Sequence, residues 1–187
     1  LLGEPRAALA VTDDIRVRAQ ANGSPYGIAM ALCFRGLVAR DQGDVATLVD
    51  VGDRAIAQAM DQKLYYWLGS GLCLRGWATI HDGDPATGIL QVQQGLGLFD
   101  QIGLRATYGY HLAALAEGHM LCDAIDPALV AVDRALELAA TSLDRFYEPE
   151  LLRLRGELLR RRGDLDDAER WLRRSLDLAA TRHGRWF

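Results

Sequence analysis

Apolar residues along the chain recur three and four positions apart, as in Leu151, Leu154, Leu158 and Leu159. This spacing lines one face of an α-helix with apolar groups. No run of alternating β-branched residues interrupts it, so the predicted fold class is all-α. The pattern stops and restarts at short polar stretches. It predicts first helices over 26–41, 66–81, 107–121 and 149–162, and second helices over 45–61, 85–101, 127–141 and 165–181. A lone second helix over 5–20 stands in front. The punctuation agrees: Ser24-Pro25, Asp84-Pro85 and Asp126-Pro127 each put a capping side chain before a proline at the first helical position. Asp44 and Asp164 are expected to cap without proline.

The pattern repeats every 40 residues. Gly36, Gly76, Ala116 and Gly156 share one column, and Gly43, Gly83, Asp123 and Gly163 share another seven residues on. Leu32, Leu72, Leu112 and Leu152 keep the interval, as do Ala55, Gly95, Ala135 and Ser175. The chain therefore reads as a single array over 1–187: a half-repeat 1–24, repeats 25–65, 66–105, 106–145 and 146–184, and the start of another at 185–187. That arrangement, beginning abruptly at "LLGEP", is expected of a piece of a longer array. A glycine inside a helix costs about 1 kcal/mol relative to alanine, so Gly156 needs a reason. Small residues on both helices of a hairpin permit a close crossing, and the facing columns are small: Ala8, Gly88, Ala128 and Ala168, with Ala55, Gly95, Ala135 and Ser175. Leucine at 156 should overpack such a crossing, whereas alanine should be tolerated, as at Ala116.

Composition narrows the reading. A net charge of −4 argues against a general nucleic-acid or membrane-surface binder. The charge is uneven, with 11 basic and 17 acidic side chains through residue 146 and 10 and 8 beyond it. Cys33, Cys73 and Cys122 form no CxxC pair and read as buried free thiols of a reducing, cytoplasmic compartment. No apolar run approaches the roughly 20 residues that span a bilayer.

The pattern Leu-x3-Gly-x6-Gly-Asp-x3-Ala-x6-small-Leu resembles the tetratricopeptide (TPR) repeat, most clearly in "ELLRLRGELLRRRGDLDDAERWLRRSLDLAA", residues 150–180. The resemblance implies a right-handed superhelical solenoid of antiparallel helix hairpins. Two features depart from it. The period is 40 rather than 34, so helices or turns are longer, and most consensus aromatic and proline positions are missing. Arginine- and alanine-rich arrays of this kind are similar to those of large bacterial signal-transduction ATPases, namely the LuxR-type regulators resembling the maltose-regulon activator and the ATPase modules fused to adenylyl cyclases. That likeness implies a module which senses an inducer or partner protein inside a larger regulator.

Candidate chemistry is sparse. His81, His111, His119 and His183 carry no HExxH or carboxylate–histidine set. No phosphate loop or nucleophile elbow is present, so neither catalysis nor a cofactor is expected. Carrying over the repeat's inner positions gives Met30, Cys33, Leu37 and Arg40 in the first repeat, then Ser70, Cys73, Trp77 and Ile80. The third repeat supplies Tyr110, Ala113, Glu117 and Met120, and the fourth Glu150, Arg153, Glu157 and Arg160. Such a groove is apolar and aromatic early and charged late, suited to a protein or peptide segment with an apolar part toward Trp77 and an acidic part toward Arg153 and Arg160. The segment could belong to a neighbouring domain of the same chain. Alternatively these apolar groups pack on neighbouring helices, and the array is an architectural spacer or an oligomerisation surface that self-associates through Leu1, Leu2, Trp186 and Phe187.

Overall fold

The computed structural model describes residues 5–141 and 145–181. The expectations placed on Leu1, Leu2, His183, Trp186 and Phe187 concern residues outside that set. Among the described residues there are nine helices and no strand: α1 (Pro5–Ala21), α2 (Pro25–Asp41), α3 (Val45–Asp61), α4 (Tyr65–His81), α5 (Pro85–Ile102), α6 (Tyr108–Leu121), α7 (Ile125–Thr141), α8 (Glu148–Arg162) and α9 (Leu165–Thr181). The fold is all-α, as the periodicity predicts. The framework divides into two compact units, the first ending at Leu104 and the second beginning at Arg105.

Local chemistry sets the helix boundaries. Ser24, Asp44 and Asp84 cap as expected, their side-chain oxygens accepting hydrogen bonds from the backbone N–H groups of Gly27, Thr47 and Thr87 at 3.2, 3.0 and 3.1 Å. Asp126 does not cap. The Ala128 N–H already donates to the Ala124 carbonyl, so α7 begins at Ile125 and Asp126 lies in its first turn. Pro127 fits there because the first N–H groups of a helix have no intrahelical acceptor. The Asp164 carboxylate is taken by Arg162 at 2.6 Å, while its backbone carbonyl accepts the Ala168 N–H.

The helices, not the turns, account for the long period. In the first unit α2, α3 and α4 are each 17 residues long, and three residues join each helix to the next. Left-handed residues recur every 20 positions through Gly23, Gly43, Lys63, Gly83, Gly103 and Asp123, and Gly163 lies 40 further on; Thr107, also left-handed, falls outside this rhythm. Lys63 and Asp123 adopt φ of 55° without glycine's freedom, a conformation that costs an L-residue roughly 1–2 kcal/mol. The repeat is therefore two 20-residue helix–turn modules.

The hairpin α4–α5 is the tightest. A Cβ built on Gly88 would lie 2.5 Å from the Gly76 carbonyl oxygen, and one on Gly95 would lie 2.5 Å from the Gly69 carbonyl oxygen. The reciprocal distances, from Gly76 to the Gly88 oxygen and from Gly69 to the Gly95 oxygen, are 2.8 and 2.9 Å. As one helix number rises the facing number falls, so the helices are antiparallel, with backbone against backbone. Gly156 meets side chain instead: its Cβ would lie 2.7 Å from Leu172 Cγ and 3.1 Å from the Ala168 oxygen. The close-crossing explanation of Gly156 stands.

One more column joins consecutive hairpins. Arg35 pairs with Asp13, Arg75 with Asp53 and Arg155 with Asp133, at 3.3, 2.9 and 2.7 Å. Each arginine lies on a first helix, 22 residues after an aspartate of the preceding second helix. The remaining place in this column carries Gln93 and Leu115.

These contacts rank three substitutions. Gly88→Ala puts a methyl into peptide backbone and should cost about 1–3 kcal/mol, the usual penalty of overpacking. Gly156→Ala presses mainly on the Leu172 side chain, with the Ala168 oxygen 3.1 Å away, and regains about 1 kcal/mol of helix propensity, so it should melt near the parent. Gly156→Leu should melt clearly below it. Thermal and urea denaturation check the order, and equal melting of Gly88→Ala and Gly156→Ala would contradict it.

Candidate functional site

In the first unit the inner columns of α2 and α4 lie mostly inside the core. Cys33, Leu37, Arg40, Cys73, Trp77 and Ile80 are all buried, and Met30 is half-buried. The Cys33 thiol donates to the Trp67 carbonyl at 3.7 Å and the Cys73 thiol to the Val92 carbonyl at 3.5 Å. Burial pushes both thiols well above the ordinary cysteine range, so they remain protonated and unreactive. Cys122 is exposed, against the expectation of three buried thiols, because it sits in the turn after α6. Trp77 is 7% exposed, its ring 4.0 Å from that of His81, with the Arg40 guanidinium 5.6 Å from its centroid. Ile80 packs where Gly88 leaves room.

What α2 shows to solvent is a different stripe. Tyr26, Met30 and Phe34 are spaced four residues apart, and Tyr26 and Phe34 touch the buried Trp67 edge-on at 5.5 and 6.0 Å. The Trp67 indole N–H has no hydrogen-bond acceptor among the described residues. Tyr26, Phe34 and Trp67 escaped the sequence reading, which followed the repeat's inner positions. The four-residue spacing of Tyr26, Met30 and Phe34 was the available signal.

In the second unit the same columns diverge. Tyr110 is buried and meets the rings of Phe146 and Tyr147 at 5.9 and 4.6 Å. Glu117, Met120, Arg153 and Glu157 are half-buried and Arg160 is exposed. Glu150, Arg153, Glu157 and Arg160 form a ladder of charge along α8. Arg153 donates twice to Glu150 at 2.8 and 2.6 Å, and Arg160 twice to Glu157 at 2.9 and 2.7 Å. Arg161 donates to Glu157 and to the Met120 carbonyl, tying α8 to α6. The Glu150 hydrogen bonds, with a smaller contribution from Glu117, hold the Arg153 pKa above its ordinary value. Hydrogen bonds from Arg160 and then Arg161 lower the Glu157 carboxyl to about 2. Burial lowers His119. No group of three or more histidine, cysteine or acidic side chains suited to a metal occurs among the described residues, and no described helix is long and apolar enough to cross a membrane.

Antiparallel hairpins of long helices, joined by three-residue turns within the first unit and registered by a small-residue column, define a TPR-like helical-repeat fold. Solved structures agree. The chain is similar to a kinesin light chain-like protein of Podosopora anserina with nearly identical TPR-like repeats, at 13% identity, a TM-score of 0.59, and coverage of 95% of this chain and 97% of that one. It is also similar to MamA, at 16% identity, a TM-score of 0.52, and coverage of 95% and 93%. Among curated proteins it is similar to an uncharacterized protein of Rhizobium meliloti (strain 1021), 30% identical over 125 residues. That match takes in 67% of this chain, which spans only 12% of the relative's length. No protein-family model matches the chain.

The α8 ladder predicts an acid response. A carboxylate held below its ordinary range stabilises the fold above its unfolded pKa, near 4.5, and loses that contribution as pH falls toward about 2. Glu157→Gln should therefore flatten the melting-temperature profile across that window and leave its neutral arm nearly parallel to the parent's. An unchanged acid limb would mean that Glu157 is not held by Arg160 and Arg161 in solution.

Proposed function

We propose that the chain is a non-catalytic protein- or peptide-binding repeat module of a larger bacterial signalling or transcriptional regulator in the cytoplasm. A partner is held on the inner columns of the first helices. In the first unit Met30 is reached directly, with Cys33, Leu37, Arg40, Cys73, Trp77 and Ile80 behind it as the support that fixes α2 on α4. In the second unit Glu117, Met120, Arg153, Glu157 and Arg160 touch the partner, and Tyr110 supports them. The observation that carries the reading is a contrast within single columns. Positions 73, 77 and 80 are Cys, Trp and Ile in the core, whereas 153, 157 and 160 are Arg, Glu and Arg in a partly exposed ladder. Pairs of this kind on a helix surface stabilise it by only about 0.2–0.5 kcal/mol each, so stability alone gives little reason for them. Paired guanidinium groups can exchange an internal carboxylate for a partner's at modest cost, which suits recognition of an acidic segment.

A second reading, an architectural array whose copies stack, draws support from α9. Leu165 and Leu176 are each 64% exposed, while Val45 and Ile56 in the same columns of α3 are half-buried.

Selection of random peptides by display on the intact chain tests the first reading. Selected peptides should bind Arg153→Glu and Arg160→Glu about tenfold or more weakly, a loss of roughly 1.4 kcal/mol, with a shallower salt dependence. Unchanged affinity for both folded variants would overturn the proposal. Concentration-dependent sedimentation abolished by Leu176→Asp would favour stacking instead.

A further inference from the structure

The second unit contains a cavity of about 230 Å³ between α6, α7 and the start of α8. Its floor is apolar: Gly109, Ala135, Ala139 and Leu151, with the Tyr110 and Phe146 rings along one wall. The 40-residue register explains why the described residues leave this space. In the first unit Phe99, fully buried, fills the matching place between α4 and α5. Its ring lies 3.1 Å from where a Gly69 Cβ would be and 5.3 Å from the Tyr66 ring. Forty residues on, Gly69 becomes Gly109, but Phe99 becomes Ala139. The backbone is correspondingly looser. The atom nearest a Cβ on Gly109 is the Ala135 oxygen at 3.8 Å, where the equivalent Gly95 oxygen lies at 2.9 Å from Gly69. The cavity has the place of a missing phenyl ring.

We infer that this cavity binds a single-ring aryl ligand. Close-packed interiors leave few voids larger than a water molecule, and an apolar cavity of about 150 Å³ is enough to take up benzene. Aromatic walls favour a ring edge-on or offset against Tyr110 and Phe146. Glu148, whose side chain is 7% exposed, also lines the cavity. Arg145 holds that carboxylate by two hydrogen bonds, at 3.0 and 3.1 Å. The ring could come from a free phenol or from a tyrosine side chain of a bound peptide. This site shares Tyr110 with the proposed partner surface but none of the α8 charge pairs tested there, so the failure of either proposal leaves the other standing.

The test is a titration of the whole chain with p-cresol, read from the methyl resonances of Ala135, Ala139 and Leu151, with Ala59 of the first unit as control. Saturable shifts are expected in the methyls of these three lining residues and not in that of Ala59. Ala139→Phe, which restores the ring found at Phe99, should weaken binding at least about tenfold, as one lost aryl site would. Gly109→Leu enters the cavity from the opposite helix and should do the same, so the proposal does not depend on one variant folding. N-acetyl-tyrosinamide is the second probe. Shifts from both probes place the source in a peptide side chain, and shifts from p-cresol alone place it in a free phenol; either supports the site. No saturable shift, or equal shifts in the folded variants, overturns it.

Discussion

Backbone contact between α4 and α5 is the constraint on which the first unit depends. Four glycines, Gly69 and Gly76 facing Gly95 and Gly88, let two helices meet with carbonyl oxygens at distances no Cβ would allow. Each glycine gives up about 1 kcal/mol of helix propensity. The gain lies in what surrounds the crossing. With the axes this close, Cys73, Ile80, Val92 and Phe99 are removed from water almost completely, and burying a large apolar side chain contributes about 1.5–3 kcal/mol. The other hairpins use the same column more loosely. At Gly156 the neighbour is Leu172, and the Ser175 hydroxyl donates to the Pro149 carbonyl at 2.7 Å across α8 and α9.

The fold was largely legible because its signals are local. Proline at the first helical position, a capping oxygen before it and apolar spacing of three and four fixed the described helix ends to within two residues. The departures have local causes as well. The start of α7 was misplaced because an Asp-Pro pair fits the first turn as well as the cap. The 20-residue turn rhythm was half hidden, since Lys63 takes a left-handed conformation that its side chain does not advertise.

The candidate site was legible only as columns. Column position tells which way a side chain points within its own repeat, but burial depends on what the next helix brings. Position 77 and position 157 are equivalent, yet Trp77 lies in the core and Glu157 binds two arginines at the edge of solvent. The cavity was harder still to foresee. It arises from a side chain that is not there, and Ala139 looks unremarkable beside Ala59 and Ala179 in the same column until Phe99 shows what that column can hold.

A repeat array separates its two tasks by column. The small-residue column and the left-handed turns recur because backbone spacing and reversal tolerate little else. The arginine–aspartate rungs recur too, but exposed pairs contribute about 0–1 kcal/mol each, and Gln93 and Leu115 take the place of one. Columns with weaker geometric demands are free to differ, and here they do: Ile80 against Arg160, Trp77 against Glu157, Phe99 against Ala139. Each contrast leaves the hairpin intact and changes only what it offers, a sealed core in one repeat and a charged ladder or an open cavity in another. What distinguishes one repeat of this chain from another is therefore located by departures from the repeat, while the repeat itself accounts for the fold.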